Sequence, residues 1–227
     1  MSSFQYHPLK RSDDVNCFEV RLLRLLPAQD RNASLACELE HFFSAPENRV
    51  RPWDRQDFYT YEKPLNEPPL GRRRIHSYFA LSYVWGDSGI TSPIYVNGST
   101  FHVTTNLKEA LLHLRDFWLF PEQWLWVDAI CINQADLQER SSQVQRMFQI
   151  FEAAEDVIAW LGPSTVESDL AMDAFRPRLG HVSQPREENS TMLREEQDAK
   201  EKEACKKLLQ RPWFRRVWVG MTKSLFL

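Results

Sequence analysis

The stretch Tyr78-Phe-Ala-Leu-Ser-Tyr-Val-Trp85, closed by Gly86-Asp87, decides how this chain is read. Its run of aromatic and β-branched side chains predicts a strand buried on both faces, because a half-exposed strand would alternate apolar with polar residues. Two more such runs follow, Trp124-Leu-Trp-Val-Asp-Ala-Ile130 and Asp156-Val-Ile-Ala-Trp-Leu161, the second closed by Gly162-Pro163. Helix signals fall between and after them. Asn106 reads as a cap with Glu109 completing a capping box, ahead of Leu107, Ala110, Leu111 and Leu114 on one face. Asp136 with Glu139 repeats the signal before a core stripe of Val144, Met147, Phe148, Phe151 and Ala154. Ser164 with Glu167 repeats it again before Leu170, Ala171, Ala174 and Phe175. Strands alternating with helices predict an α/β fold: a mostly parallel sheet joined by right-handed crossovers, with helices on its faces.

Outward from that centre, Phe18–Leu26 and the alternating Leu35, Cys37, Leu39, His41 and Phe43 predict an N-terminal β-hairpin over 18–45. Ile94-Tyr-Val96 and Phe101-His-Val103 flank Asn97-Gly98, a turn pair that tolerates positive φ, so a second β-hairpin is inserted after the Tyr78–Trp85 strand. Residues 1–17 read as a flexible polar N-terminus. Residues 46–75 read as a loop, because Pro46, Pro52, Pro64, Pro68 and Pro69 forbid long regular structure. The Arg72-Arg73-Arg74 run at its end reads as a solvated edge. The main domain then spans 76–219, with a charged linker at 183–203 inside it and an atypical tail at 220–227.

Composition excludes several classes. The 227 residues carry a net charge of −3, which argues against a general nucleic-acid binder. Mean hydropathy is −0.48 and no apolar run approaches the ~20 residues of a membrane span. The four cysteines, Cys17, Cys37, Cys131 and Cys205, form no CxxC pair, so a structural zinc site is not expected. The N-terminus lacks the apolar core of a secretion signal, which with free thiols points to a reducing, cytoplasmic setting.

In an open α/β sheet, ligands lie beyond the carboxyl ends of the strands. Two polar clusters fall there: Ser82, Tyr83, Trp85, Gly86 and Asp87, and then Asp128, Cys131, Asn133, Gln134, Asp136, Glu139 and Arg140. Neighbouring strands would bring both into one crevice. Each residue also has a plain structural use. Asp128 can satisfy loop amides, Asn133 and Gln134 can brace a turn, and Glu139 can close a capping box. Arg140 can pair with Asp136 or Glu139. Trp85 can belong to the core, and Cys131, with no histidine near it in sequence, can be a small buried hydrophobe. Asp87 and Asp128 could hold a magnesium ion or act as phosphoacceptors, a weak signal from two acids in different loops. No P-loop, GxGxxG, GxSxG or HExxH motif occurs.

Taken together, Ala80-Leu-Ser-Tyr-Val-Trp-Gly-Asp87, Leu125-Trp-Val-Asp-Ala-Ile-Cys-Ile-Asn-Gln134, Glu139-Arg140, Gln143-Val144, Met147, Ala159-Trp-Leu-Gly162 and Arg211-Pro-Trp-Phe-Arg-Arg-Val-Trp218 resemble, in order and wording, the fungal heterokaryon incompatibility (HET) domain. The likeness runs from Tyr78 to Val219 and adds Arg216 and Trp218 to the motif residues. It implies a role in non-self recognition between fusing fungal cells and in programmed cell death. It also implies a flavodoxin-like fold similar to the Toll/interleukin receptor (TIR) domain. TIR-like domains act by self-association or by hydrolysing NAD with a glutamate. The expected partners are therefore other HET or signalling proteins or a second copy of the chain, with no nucleic acid and no membrane. NAD is the one cofactor to be considered. HET domains usually follow the last tryptophan with a hydrophobic pair and Gln-Glu. Here the chain reads Val219-Gly220-Met221-Thr222, so the glutamate position holds Thr222. A neutral threonine cannot stabilise the cationic ribosyl centre left by departing nicotinamide, so the resemblance implies no NAD hydrolysis by this chain. A truncated product and a degenerate copy both explain the ending, and truncation is the expectation because relatives continue for several hundred residues.

Overall fold

The computed structural model describes residues 3–10, 18–30, 32–44, 73–74, 77–117, 123–175, 191–215 and 224–226. Most of the proline-rich segment, the first part of the 183–203 linker, and Arg216, Trp218 and Thr222 lie outside them. The chain divides into two compact units, one of residues 1–160 with 222–227 and one of residues 161–221.

In the first unit the strands are β1 (Phe18–Leu25), β2 (Ala36–Ser44), β3 (Arg73–Arg74), β4 (Phe79–Ser82), β5 (Thr91–Val96), β6 (Ser99–Thr104), β7 (Leu125–Trp126), β8 (Asp156–Ala159) and β9 (Ser224–Phe226). They form one nine-stranded sheet of order β6-β5-β2-β1-β7-β4-β8-β9, with β3 beside β2. The helices are α1 (Thr105–Phe117), the single turn α2 (Asp128–Cys131) and α3 (Leu137–Ala153). The fold is α/β, as the alternation predicts, but the sheet is mixed. β4 pairs in parallel with β7 and β8, while β1 pairs antiparallel with β2 and β7. The N-terminal hairpin is therefore no appendage. Val20, Leu22, Leu23, Leu35 and Cys37 are among the most deeply buried side chains, and β1 and β2 bridge the parallel half to the β5–β6 hairpin. Apolar side chains of both hairpins, β4, β7, β8 and α1 share one core.

Local chemistry places the elements. Asn97 at φ 49° and Gly98 at φ 76° make the two-residue turn between β5 and β6 that Asn-Gly predicts. On α1, Leu107, Ala110, Leu111 and Leu114 are all buried, as their spacing predicts. Asp136 caps α3, its carboxylate accepting from the Gln138 and Glu139 amides.

Four local expectations in this unit are also corrected. Residues 3–10 are tied down: Ser3 pairs with Thr100, and Phe4, Tyr6 and Phe101 meet edge to face, so aromatic burial overrides the polar composition. The Trp124–Ile130 strand is two residues long, because Asp128 starts a helical turn. The core stripe of α3 is shifted. Gln143 and Ile150 are buried and Met147 and Phe151 pack partly on the core, while Val144 and Phe148 face solvent. Finally, Thr104 rather than Asn106 caps α1, accepting from the Leu107 amide at 3.4 Å.

The second unit contains α4 (Val166–Phe175), α5 (Thr191–Leu209) and a 3-10 turn at Pro212–Arg215. α4 packs on α5, and Ala171, Ala204, Leu208 and Trp213 are buried. The cap of α4 falls one residue later than predicted, on Thr165 and Ser168, whose hydroxyls each accept from the other's amide. Much of the charged 183–203 stretch is helical, since α5 begins at Thr191.

Candidate functional site

Strands β4 and β7 lie side by side, with Phe79 opposite Leu125 and Ala80 opposite Trp126. The loops leaving their carboxyl ends therefore meet. Trp85, 40% exposed, donates its indole N–H to Asp128 Oδ2 at 3.0 Å. The other Asp128 oxygen accepts from the Ala129 amide at 2.8 Å, so the carboxylate also supports the first turn of α2. Gln134 donates its side-chain N–H to the Asp128 carbonyl at 2.9 Å. Asn133 Oδ1 accepts from the Ala135 amide, bracing the turn into α3. Asp87 makes a turn of its own, Oδ1 accepting from the Gly89 amide. Tyr83 is buried and Ser82 half-buried below this rim.

A second layer sits behind the rim. Arg21 of β1, 1% exposed, sends its guanidinium to Glu139 in two hydrogen bonds of 2.7 and 2.9 Å. The same guanidinium donates to the Cys131 and His7 carbonyls and stacks over the Tyr6 ring. Glu139 Oε1 accepts in addition from the Asn133 amide at 2.7 Å. Only half of the predicted capping box forms: Asp136 caps the helix, but the Glu139 carboxylate turns to Arg21, a buried charge that needs a full partner. It is thereby directed away from Arg140, which is exposed.

On the other side of β4, Asn106 joins two more segments. Its side-chain N–H donates to the Val84 carbonyl and its oxygen accepts from the Trp160 indole at 3.1 Å. Gly86, at φ 75°, allows the close approach, since a Cβ there would lie 3.4 Å from Asn106 Cβ.

The Cys131 thiol is enclosed. Its sulfur accepts from the Val127 amide, and burial pushes the thiol up to about 12, so it stays protonated at neutral pH and is no nucleophile. Among the described residues, no group of three or more His, Cys, Asp and Glu is placed to hold a metal ion. A cavity of about 300 Å³ opens between the start of β1 and the first half of α3, lined by Lys10, Glu19, Gln138, Glu139, Ser142 and Arg146 among others.

This interlocked wording coincides with a known pattern, since a family model described as heterokaryon incompatibility protein (HET) matches residues 78–220. The chain belongs to the HET family. It is also 42% identical over 127 residues to "Heterokaryon incompatibility protein 6, OR allele" of Neurospora crassa, an alignment covering 51% of this chain and 18% of that protein. The chain thus spans under a fifth of that relative's length. No solved structure matches it.

Within the HET segment the structure brings together Trp85 and Asp128 directly, and Cys131, Asn133, Gln134 and Glu139 around the same turn. Asp87 stands apart on the rim. Sequence reasoning missed Arg21, Asn106 and Trp160. The run Val20-Arg-Leu-Leu-Arg-Leu-Leu26 carries two arginines, and nothing local says that Arg21, rather than the more exposed Arg24, needs a buried partner. Nothing local distinguishes Asn106 from a cap.

Proposed function

We propose that this chain is the HET module of a fungal incompatibility protein, acting in non-self recognition and cell-death signalling through association with other domains rather than through chemistry of its own. The observation that supports this reading is where the signature residues spend their polar groups. Trp85 binds Asp128, Glu139 binds Arg21 and the Asn133 amide, and Asn106 binds Val84 and Trp160. Such a set ties three loops at one end of the sheet into a rigid framework. A rigid framework lowers the entropy cost of docking, whichever face docks, and that is what a recognition module needs. The name of the Neurospora relative, a heterokaryon incompatibility protein, supports the incompatibility role.

The order β7-β4-β8 places the second parallel strand, the first and the third in turn, which supports a flavodoxin-like and hence TIR-like reading. The NAD-hydrolysing alternative requires an acid where the sequence has Thr222, a residue outside those described. Sedimentation velocity of the purified chain over a hundredfold concentration range tests the proposal. Mass that rises with concentration supports it; a strict monomer at the highest concentration overturns association between like modules.

A further inference from the structure

Helix α3 is amphipathic in an unusual way. One face is buried through Gln143 and Ile150, yet a second apolar strip faces outward: Leu137 is 66% exposed, Val144 49% and Phe148 60%. A large phenyl group left this far in water costs solubility unless something covers it. The strip is bounded by charges in a regular way. Arg140, Val144, Phe148 and Glu152 are spaced by four along one helical ridge, and all four are exposed.

That ridge reads positive, apolar, apolar, negative. It is its own complement when turned end for end. A twofold axis crossing the helix midway between Val144 and Phe148 places Val144 against the partner copy's Phe148, and Arg140 against the partner copy's Glu152. Closed twofold interfaces use the same patch on both subunits, and this patch satisfies that condition in both its apolar and its charged members. We infer that α3 is the self-association surface of this chain, with a second copy docking antiparallel along the Arg140–Glu152 ridge. The inference rests on the association proposed above and assigns it a surface and a partner.

One helix ridge buries less than the 1,200–2,000 Å² of a standard stable interface, so the dimer is weak and concentration-dependent. The two charge pairs lie at its rim, where they set register and specificity more than affinity.

Sedimentation equilibrium of the full chain, with thermal unfolding to check the fold, tests the inference. Phe148→Asp puts a charge into the apolar centre and is expected to weaken association by tenfold or more. Arg140→Glu and Glu152→Arg each make both rim pairs repulsive, and each is expected to weaken association by several-fold up to about tenfold. The double variant R140E/E152R restores both pairs and is expected to regain most of the loss. A mixture of the two single variants forms a heterodimer in which both pairs attract, so it is expected to associate more tightly than either variant alone. Association of the wild type that is untouched by F148D, or single variants whose mixture gains nothing, would overturn the α3 assignment while leaving association itself standing. A wild-type chain that stays monomeric throughout would overturn both.

Discussion

Arg21 and Glu139, 118 residues apart in the chain, meet in two hydrogen bonds of 2.7 and 2.9 Å with both side chains almost wholly buried. The pair links the N-terminal hairpin, outside the HET-matched segment, to the first turn of α3. Breaking one side leaves an uncompensated buried charge. Glu139→Ala is expected to cost about 3–5 kcal/mol in chemical denaturation, because Arg21 keeps its charge and the Asn133 amide also loses its acceptor. Arg21→Met in that background is expected to recover part of the loss, since it removes the stranded cation. A double variant as unstable as the sum of the singles would show that the two residues act independently.

Asn106 predicts a subtler pattern. Asn106→Ala strands the Val84 carbonyl and the Trp160 indole, and is expected to lower stability by about 1–3 kcal/mol. Asn106→Asp keeps an acceptor for Trp160 but cannot donate to Val84, so it is not expected to rescue. Gly86→Ala is expected to cost about 1 kcal/mol or more through its positive φ and the approach to Asn106. Thermal unfolding midpoints of the three variants, compared with wild type, check the set.

Much of this framework was legible in the sequence. The strands at residues 80 and 126 followed from continuous apolar runs, though not that they pair, and the Asn97-Gly98 turn and the Asp136 cap followed from residue chemistry. What stayed hidden required tertiary partners. Period-two alternation reveals a strand but not whether its hairpin stands alone or enters the central sheet, as β1 and β2 do. Asn106 and Glu139 both stand at helix-start positions, where local rules assign capping; buried groups from distant segments, Trp160 and Arg21, outbid the local use. The stripe of α3 was misplaced because both of its faces carry apolar residues, so periodicity alone could not say which one is buried.

The buried thiols predict an alkaline limit to stability. Burial raises Cys37 and Cys131 from 9.0 to about 12 in the folded chain. Between those values the unfolded chain loses thiol protons that the folded chain retains, so the unfolded state binds fewer protons and stability falls as pH rises. The contribution is intact below pH 9 and is lost progressively toward pH 12. Melting temperature measured from pH 7 to 11 is expected to hold level and then decline above about pH 9. In the native protein at pH 8, neither thiol is expected to react with a bulky disulfide reagent on the timescale of minutes, and rapid labelling of Cys131 would contradict its enclosure.

If the motif residues hold one another, Trp85 and Asp128 are energetically coupled, and a double-mutant cycle on the pair reads that coupling. Chemical denaturation of wild type, Trp85→Phe, Asp128→Ala and the double variant gives the coupling between the two. At this partly exposed site a hydrogen bond to a carboxylate is expected to contribute about 1 kcal/mol of coupling, so the double variant is less unstable than the summed singles. Coupling indistinguishable from zero, with both single variants as stable as wild type, would mean that the two loops are not locked together and that the motif residues do not form one interlocked site.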